Sequence, residues 1–114
     1  MEVLIGIDPH KATNALALIA ERGKLLEYAV FSTNRAGLRS LVRWGKRFPE
    51  RRWAVEGGGG LGRSVALRLV AAGERVVDVP AKLSSRARLL ATGNARKNER
   101  VDAFDVALAA LRED

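Results

Sequence analysis

Residues 51–73 read RRWAVEGGGGLGRSVALRLVAAG. The apolar strand RRWAVE runs into four consecutive glycines, and Leu61, Val65, Ala66 and Leu69 then recur at helical spacing until Gly73, a residue suited to closing a helix. Strand, tight turn and helix in that order form the half-unit of an α/β sheet. The arrangement leaves Glu56 at the carboxyl end of the strand.

Upstream, EVLIGID is a continuous apolar run ending in Asp8, the pattern of a strand buried on both faces. NALALIAE follows across the short link PHKAT, and LLEYAVFST, rich in aromatic and β-branched residues, follows the turn RGK. Three strands on short links predict an antiparallel meander. From Asn34, an N-cap residue, Leu38, Leu41, Val42, Gly45 and Phe48 recur at helical spacing up to Pro49. Trp44, Arg39, Arg43, Lys46 and Arg47 lie around this helix, where the charges read as a solvated face.

Downstream, ERVVDVP is a fifth strand stopped by Pro80. AKLSSRARLLATGNARKNER is basic and polar and reads as a short helix followed by a loop, and Val101, Phe104, Leu108 and Leu111 form the stripe of a last helix. The predicted order is β-β-β-α-β-α-β-α-α, an α/β fold with a mixed sheet and helices on its faces. That order is also the one found in ribonuclease H-like folds.

Composition sets bounds on function. The 114 residues allow one domain with a real core. No apolar run approaches the ~18 residues of a membrane span, and the N-terminus goes straight into a strand pattern, so a cytoplasmic location and no membrane partner are expected. Without cysteine and with only His10, disulfides, thiolate zinc sites and multi-histidine centres are excluded, and any metal must sit on oxygen. Lys and Arg outnumber Asp and Glu by 20 to 13, a net charge of +7 that favours a polyanionic partner. Aromatics are 5% of the chain, too few for extensive base stacking.

Asp8 and Glu56 end two strands and therefore belong at the carboxyl edge of the sheet, where open α/β sheets bind ligands. If those strands are neighbours, the two carboxylates share a crevice and call for a proton or a hard cation between them. The last helix adds Glu99, Asp102 and Asp105 at three-residue steps, adjacent members being ~60° apart around the axis. A pair of them can serve one metal site; a first-turn acidic cluster favoured by the helix dipole is the other reading.

Gly57, Gly62, Arg63 and Ser64 nearly match the phosphate loop G-x-x-x-x-G-K-S/T, with arginine in place of the compact lysine. Apart from Asp8, no strand offers an obvious aspartate for a nucleotide's Mg²⁺. Three classes are open at this point: a metal-dependent nuclease or recombinase domain, a non-catalytic nucleic-acid-binding remnant, and a nucleotide-binding protein that uses the Gly57–Ser64 loop.

IGIDPHK, WAVEGGGGLGRSVALRLVAAGERVVDVP and ATGNARKNERVDAFDVALAAL together resemble, in order and spacing, the motifs of the N-terminal RuvC-like domain of DEDD-type insertion-sequence transposases and Piv-type DNA invertases. The resemblance spans essentially the whole chain. It implies a ribonuclease H-like fold and a role in DNA strand cleavage and exchange during transposition, with four acids holding Mg²⁺ or Mn²⁺. Carried over by motif, Asp8 is the first acid and Glu56 the second, and KNERVDA places Glu99 third and Asp102 fourth, with Asp105 in reserve. The third acid of the family is usually aspartate, so Glu99 departs by one methylene.

The family's serine nucleophile lies in a C-terminal domain to which nothing in residues 1–114 corresponds, so this unit is not expected to complete recombination alone. Beside the acids, His10, Lys11, Arg63, Arg96 and Lys97 are expected to meet flanking phosphates, and Lys82, Arg86 and Arg88 form a second basic stripe. DNA, a guide RNA and further copies of the chain are the partners the resemblance implies.

Overall fold

The structure, a computed structural model, describes residues 1–80 and 99–112, with the helical backbone alone for 99–101. Five strands form one sheet: β1 (Val3–Pro9), β2 (Thr13–Ala20), β3 (Leu25–Ser32), β4 (Arg51–Glu56) and β5 (Val76–Val79). Three helices accompany them: α1 (Arg35–Gly45), α2 (Arg63–Ala71) and α3 (Glu99–Arg112). The strand order is β3-β2-β1-β4-β5, with β1, β2 and β3 antiparallel and β4 and β5 parallel to β1. The sequence pattern predicts these eight elements to within a few residues; the short helix expected after Pro80 lies outside the described residues.

Period-two alternation along the strands separates two cores. Val3, Ile5 and Ile7 of β1, Leu16 and Leu18 of β2 and Trp53 and Val55 of β4 pack with Leu38, Leu41 and Val42 of α1 and Val65 and Leu69 of α2. The other face carries Leu4, Ile19 and Ala54, which pack under Val106, Ala107 and Ala110 of α3. All seven residues of β1 are buried, as the continuous apolar run predicts for a central strand covered on both sides.

Local signals explain the element ends. Asn34 caps α1 by accepting a hydrogen bond from the Gly37 amide at 2.8 Å. Gly73 (φ +81°) provides the left-handed residue just beyond α2. At the amino-terminal end of β4, Glu74 is the hub: its carboxylate accepts from Arg51 Nε and Nη2 at 2.7 and 2.8 Å and from Trp53 Nε1 at 2.7 Å. These charge-assisted bonds hold its carboxyl below the usual range, Arg51 being the larger cause. The opposite edge of the sheet stays clear for the acids.

Candidate active site at the carboxyl edge of the sheet

The register of β1 and β4 pairs Gly6 with Ala54 and Ile7 with Val55. One residue further, Asp8 and Glu56 fall at the same level on adjacent parallel strands, on the face that α3 covers. The strands are therefore neighbours, which is the condition for a shared crevice. Asp8 is 7% exposed.

The third element comes from α3, which crosses β1 at Gly6. A Cβ on Gly6 would stand 2.5 Å from both the Ala103 carbonyl oxygen and the Ala107 amide nitrogen. Only glycine lets the helix sit this low on the sheet. The close crossing sets Asp102, the residue before Ala103, toward the Asp8 end of β1.

Electrostatics record the convergence. The Asp8 carboxyl is pushed up to about 6, first by burial and then by the negative charges of Glu56 and Asp102, while His10 pulls it down. His10 Nε2 lies 2.8 Å from Asp8 Oδ2. A buried carboxyl whose ionisation is opposed by two further carboxylates fits a hard, oxygen-seeking cation. Among the described residues, no group of three such side chains is yet gathered closely enough to hold an ion.

The expected site residues divide accordingly. Asp8, Glu56 and Asp102 are brought together, and the Glu99 side chain lies outside the described residues. Asp105, the reserve, is 1% exposed, so it is not part of a solvated acidic turn. His10, expected to meet phosphate, lies half-exposed beside Asp8. Lys11 is exposed beside it, and Arg63 is exposed at the start of α2. Lys82, Arg86, Arg88, Arg96 and Lys97 lie outside the described residues.

The Gly57–Ser64 loop gives the nucleotide-binding alternative no support, since most of its amides are already engaged within the chain. A cradle needs amide hydrogens aimed at the anion. Here the amides of Gly57, Gly60, Gly62 and Arg63 donate to Val79, Gly57, Gly57 and Gly60 carbonyls, and Gly58 donates to Asp78 Oδ1 at 2.6 Å. The Gly58 amide is thus already taken by a carboxylate of the chain itself. Asp78 of β5 alternates with valines like any residue of an ordinary strand; the register puts it opposite Val55 and beside the turn. Positive φ at Gly57 (+60°) turns the chain sharply after Glu56, and Gly62 packs where a Cβ would stand 2.6 Å from Val55 Cγ1.

The sequence profile of a DEDD-type family described as transposase matches residues 5–114. The chain belongs to this transposase family. No individually curated protein sequence matches it. In fold, this transposase domain is similar to RuvC of Thermus thermophilus in complex with a Holliday junction substrate (TM-score 0.72, 20% identity, covering 99% of this chain and 95% of that one). It is similar as well to a second structure of Thermus thermophilus RuvC (TM-score 0.70, 20% identity, 97% and 94% covered). The fowlpox virus Holliday junction resolvase follows (TM-score 0.65, 11% identity, 97% and 98% covered). These likenesses establish the RuvC-like, ribonuclease H-like fold of the transposase domain. No described helix is long and apolar enough to cross a membrane.

Proposed function

We propose that this transposase-family domain is a divalent-metal-dependent DNA strand-cleaving unit that acts in transposition. The observation that carries the reading is the convergence of Asp8, Glu56 and Asp102 at one sheet edge, where burial first and the charges of the other two second keep Asp8 hard to ionise. Asp8, Glu56, Asp102 and Glu99 would hold Mg²⁺ or Mn²⁺ through carboxylate oxygens. The bound ion would supply polarisation of a phosphodiester and stabilisation of its leaving oxygen.

The chain's own groups do the positioning. His10 lies beside the Asp8 carboxylate, 2.8 Å from Oδ2, and the low crossing of α3 over Gly6 sets Asp102 toward the same end of β1. Exposed Lys11 and Arg63, with Lys82, Arg86, Arg88, Arg96 and Lys97, would contact flanking phosphates without reading sequence. DNA is the partner on this reading, as the junction substrates of the structural neighbours support. Residues 1–114 make up one RuvC-like unit; a serine nucleophile from another domain, a guide RNA and a homo-oligomer complete the assembled machine.

The test is a titration of Mg²⁺ and Mn²⁺ against thermal melting, together with cleavage of branched and linear duplex DNA. Millimolar metal should raise the melting temperature of the wild-type chain and not of Asp8→Ala. If neither ion binds, and Asp8→Ala melts higher with no loss of DNA cleavage, the acids are not a metal site.

A further inference from the structure

Across the sheet from the acids, α1 and α2 enclose an open groove of about 370 Å³ lined by Arg39, Val42, Arg43, Lys46, Arg68 and Ala72. Four of the six lining residues are cations, and none is an acid. Several arginines elsewhere in the domain are neutralised. Arg47 bonds Glu27 at 2.9 Å and lies over the Trp44 and Phe48 rings, Arg51 is paired with Glu74, and Arg52 and Arg75 both meet Glu2. No ion pair between a groove cation and a described acid is formed; Glu74, which feels Lys46 at a distance, is already held by Arg51.

Four cations held on two rigid helices repel one another, a cost that a polyanion removes. We infer that this groove is a second DNA-binding surface, which seats the phosphate backbone of a duplex segment other than the one at the acid edge. The inference rests on reading the chain as a DNA-acting domain. Three features select the occupant. The whole sheet separates groove and acids, so one phosphate run cannot fill both while crossing the sheet. Trp44 is capped by Arg47 and packed edge-on against Phe31, which leaves no open ring for unpaired bases to stack on. Strand exchange also requires a protein to hold DNA beyond the strand being cut. Backbone contact through arginine and lysine matches a duplex.

The test uses the full chain and a labelled 20-base-pair DNA duplex, with chelator present so that the acid edge makes no metal-mediated contact. Fluorescence anisotropy is followed from about 50 to 300 mM salt. The triple variant Arg39→Gln, Arg43→Gln, Arg68→Gln should bind at least about tenfold more weakly, with a salt slope shallower by roughly 2–3, since each phosphate contact contributes about 0.9. A control with the same charge loss elsewhere, Arg22→Gln, Lys24→Gln, Arg112→Gln, should stay within about threefold of wild type. If half-buried Arg68 does not tolerate glutamine, the double variant Arg39→Gln, Arg43→Gln should still flatten the slope by about 2.

Equal losses in the groove and control variants would mean that net charge alone binds, and would overturn the inference. So would single-stranded DNA or duplex RNA binding the wild type more tightly than duplex DNA and alone responding to the groove substitutions. Failure of the acid-edge reading appears separately, as a missing metal response, and leaves these affinities unchanged.

Discussion

Gly6 of β1 lies directly beneath Ala103 of α3, so close that the helix backbone occupies the space a side chain on residue 6 would need. Gly6→Ala must lift α3 off the sheet, and overpacking of this kind costs about 1–3 kcal/mol. Chemical denaturation should show that loss. The Mn²⁺-induced rise in melting temperature should fall more than stability alone accounts for, because Asp102 moves with the helix.

Asp8 predicts an opposite outcome for a substitution at the same site. Its carboxyl is raised from 3.8 to about 6, so the folded chain keeps a proton that the unfolded chain releases across that window. Stability therefore falls as pH rises from about 4 to about 6, and the cost is fully present above pH 6. Asp8→Asn should be more stable than wild type by up to about 3 kcal/mol at pH 7.5, at ~1.4 kcal/mol per pKa unit, and indistinguishable from it below pH 4. Urea unfolding at the two pH values measures the difference, and added Mg²⁺ should narrow it at pH 7.5.

The Glu74 hub behaves in the reverse sense. Its carboxyl is depressed below 4.5 by Arg51, so its contribution is present above that value and is lost as pH falls through the folded-state pKa. Glu74→Ala strands a largely buried guanidinium and the Trp53 indole hydrogen, and should cost about 3 kcal/mol at neutral pH. Acid titration of unfolding should show the wild type converging toward the variant only as pH falls below 4.5.

Asp78 anchors the turn that follows Glu56. Asp78→Ala frees the Gly58 amide and should cost about 1 kcal/mol, whereas Asp78→Asn keeps an acceptor oxygen and should recover most of it. If Asp78 positions Glu56, metal affinity follows the same order, lowest in the alanine variant. Calorimetric Mn²⁺ titration of the three proteins decides this.

Much of this arrangement was legible from residue pattern. A strand buried on both faces announces itself as VLIGID, Asn34 as a cap, and the acids at two strand ends as an edge site, because alternation and capping are local properties. What was not legible depends on register. That Asp78 meets Gly58 follows from β5 pairing with β4, and that His10 faces Asp8 follows from how the β1–β2 turn folds back. Asp105 reads as one more acid of a helix's first turn, yet it is buried, since the close packing of α3 on the sheet, and not its sequence spacing, decides which side meets solvent. The basic residues of α1 read as a solvated face until α2 brought Arg68 alongside them.

The double pairing of β1 has a consequence for how this domain comes to exist at all. Asp8 and Ile7 are consecutive, and alternation sends one to the acid edge and the other into the α1–α2 core. A slip of one place against β4 would drive a carboxylate into that core and carry an isoleucine to the edge, so a misaligned chain would lack a core before it lacked a site. Assembly therefore proofreads itself: any copy stable enough to persist already has its acids in the right place.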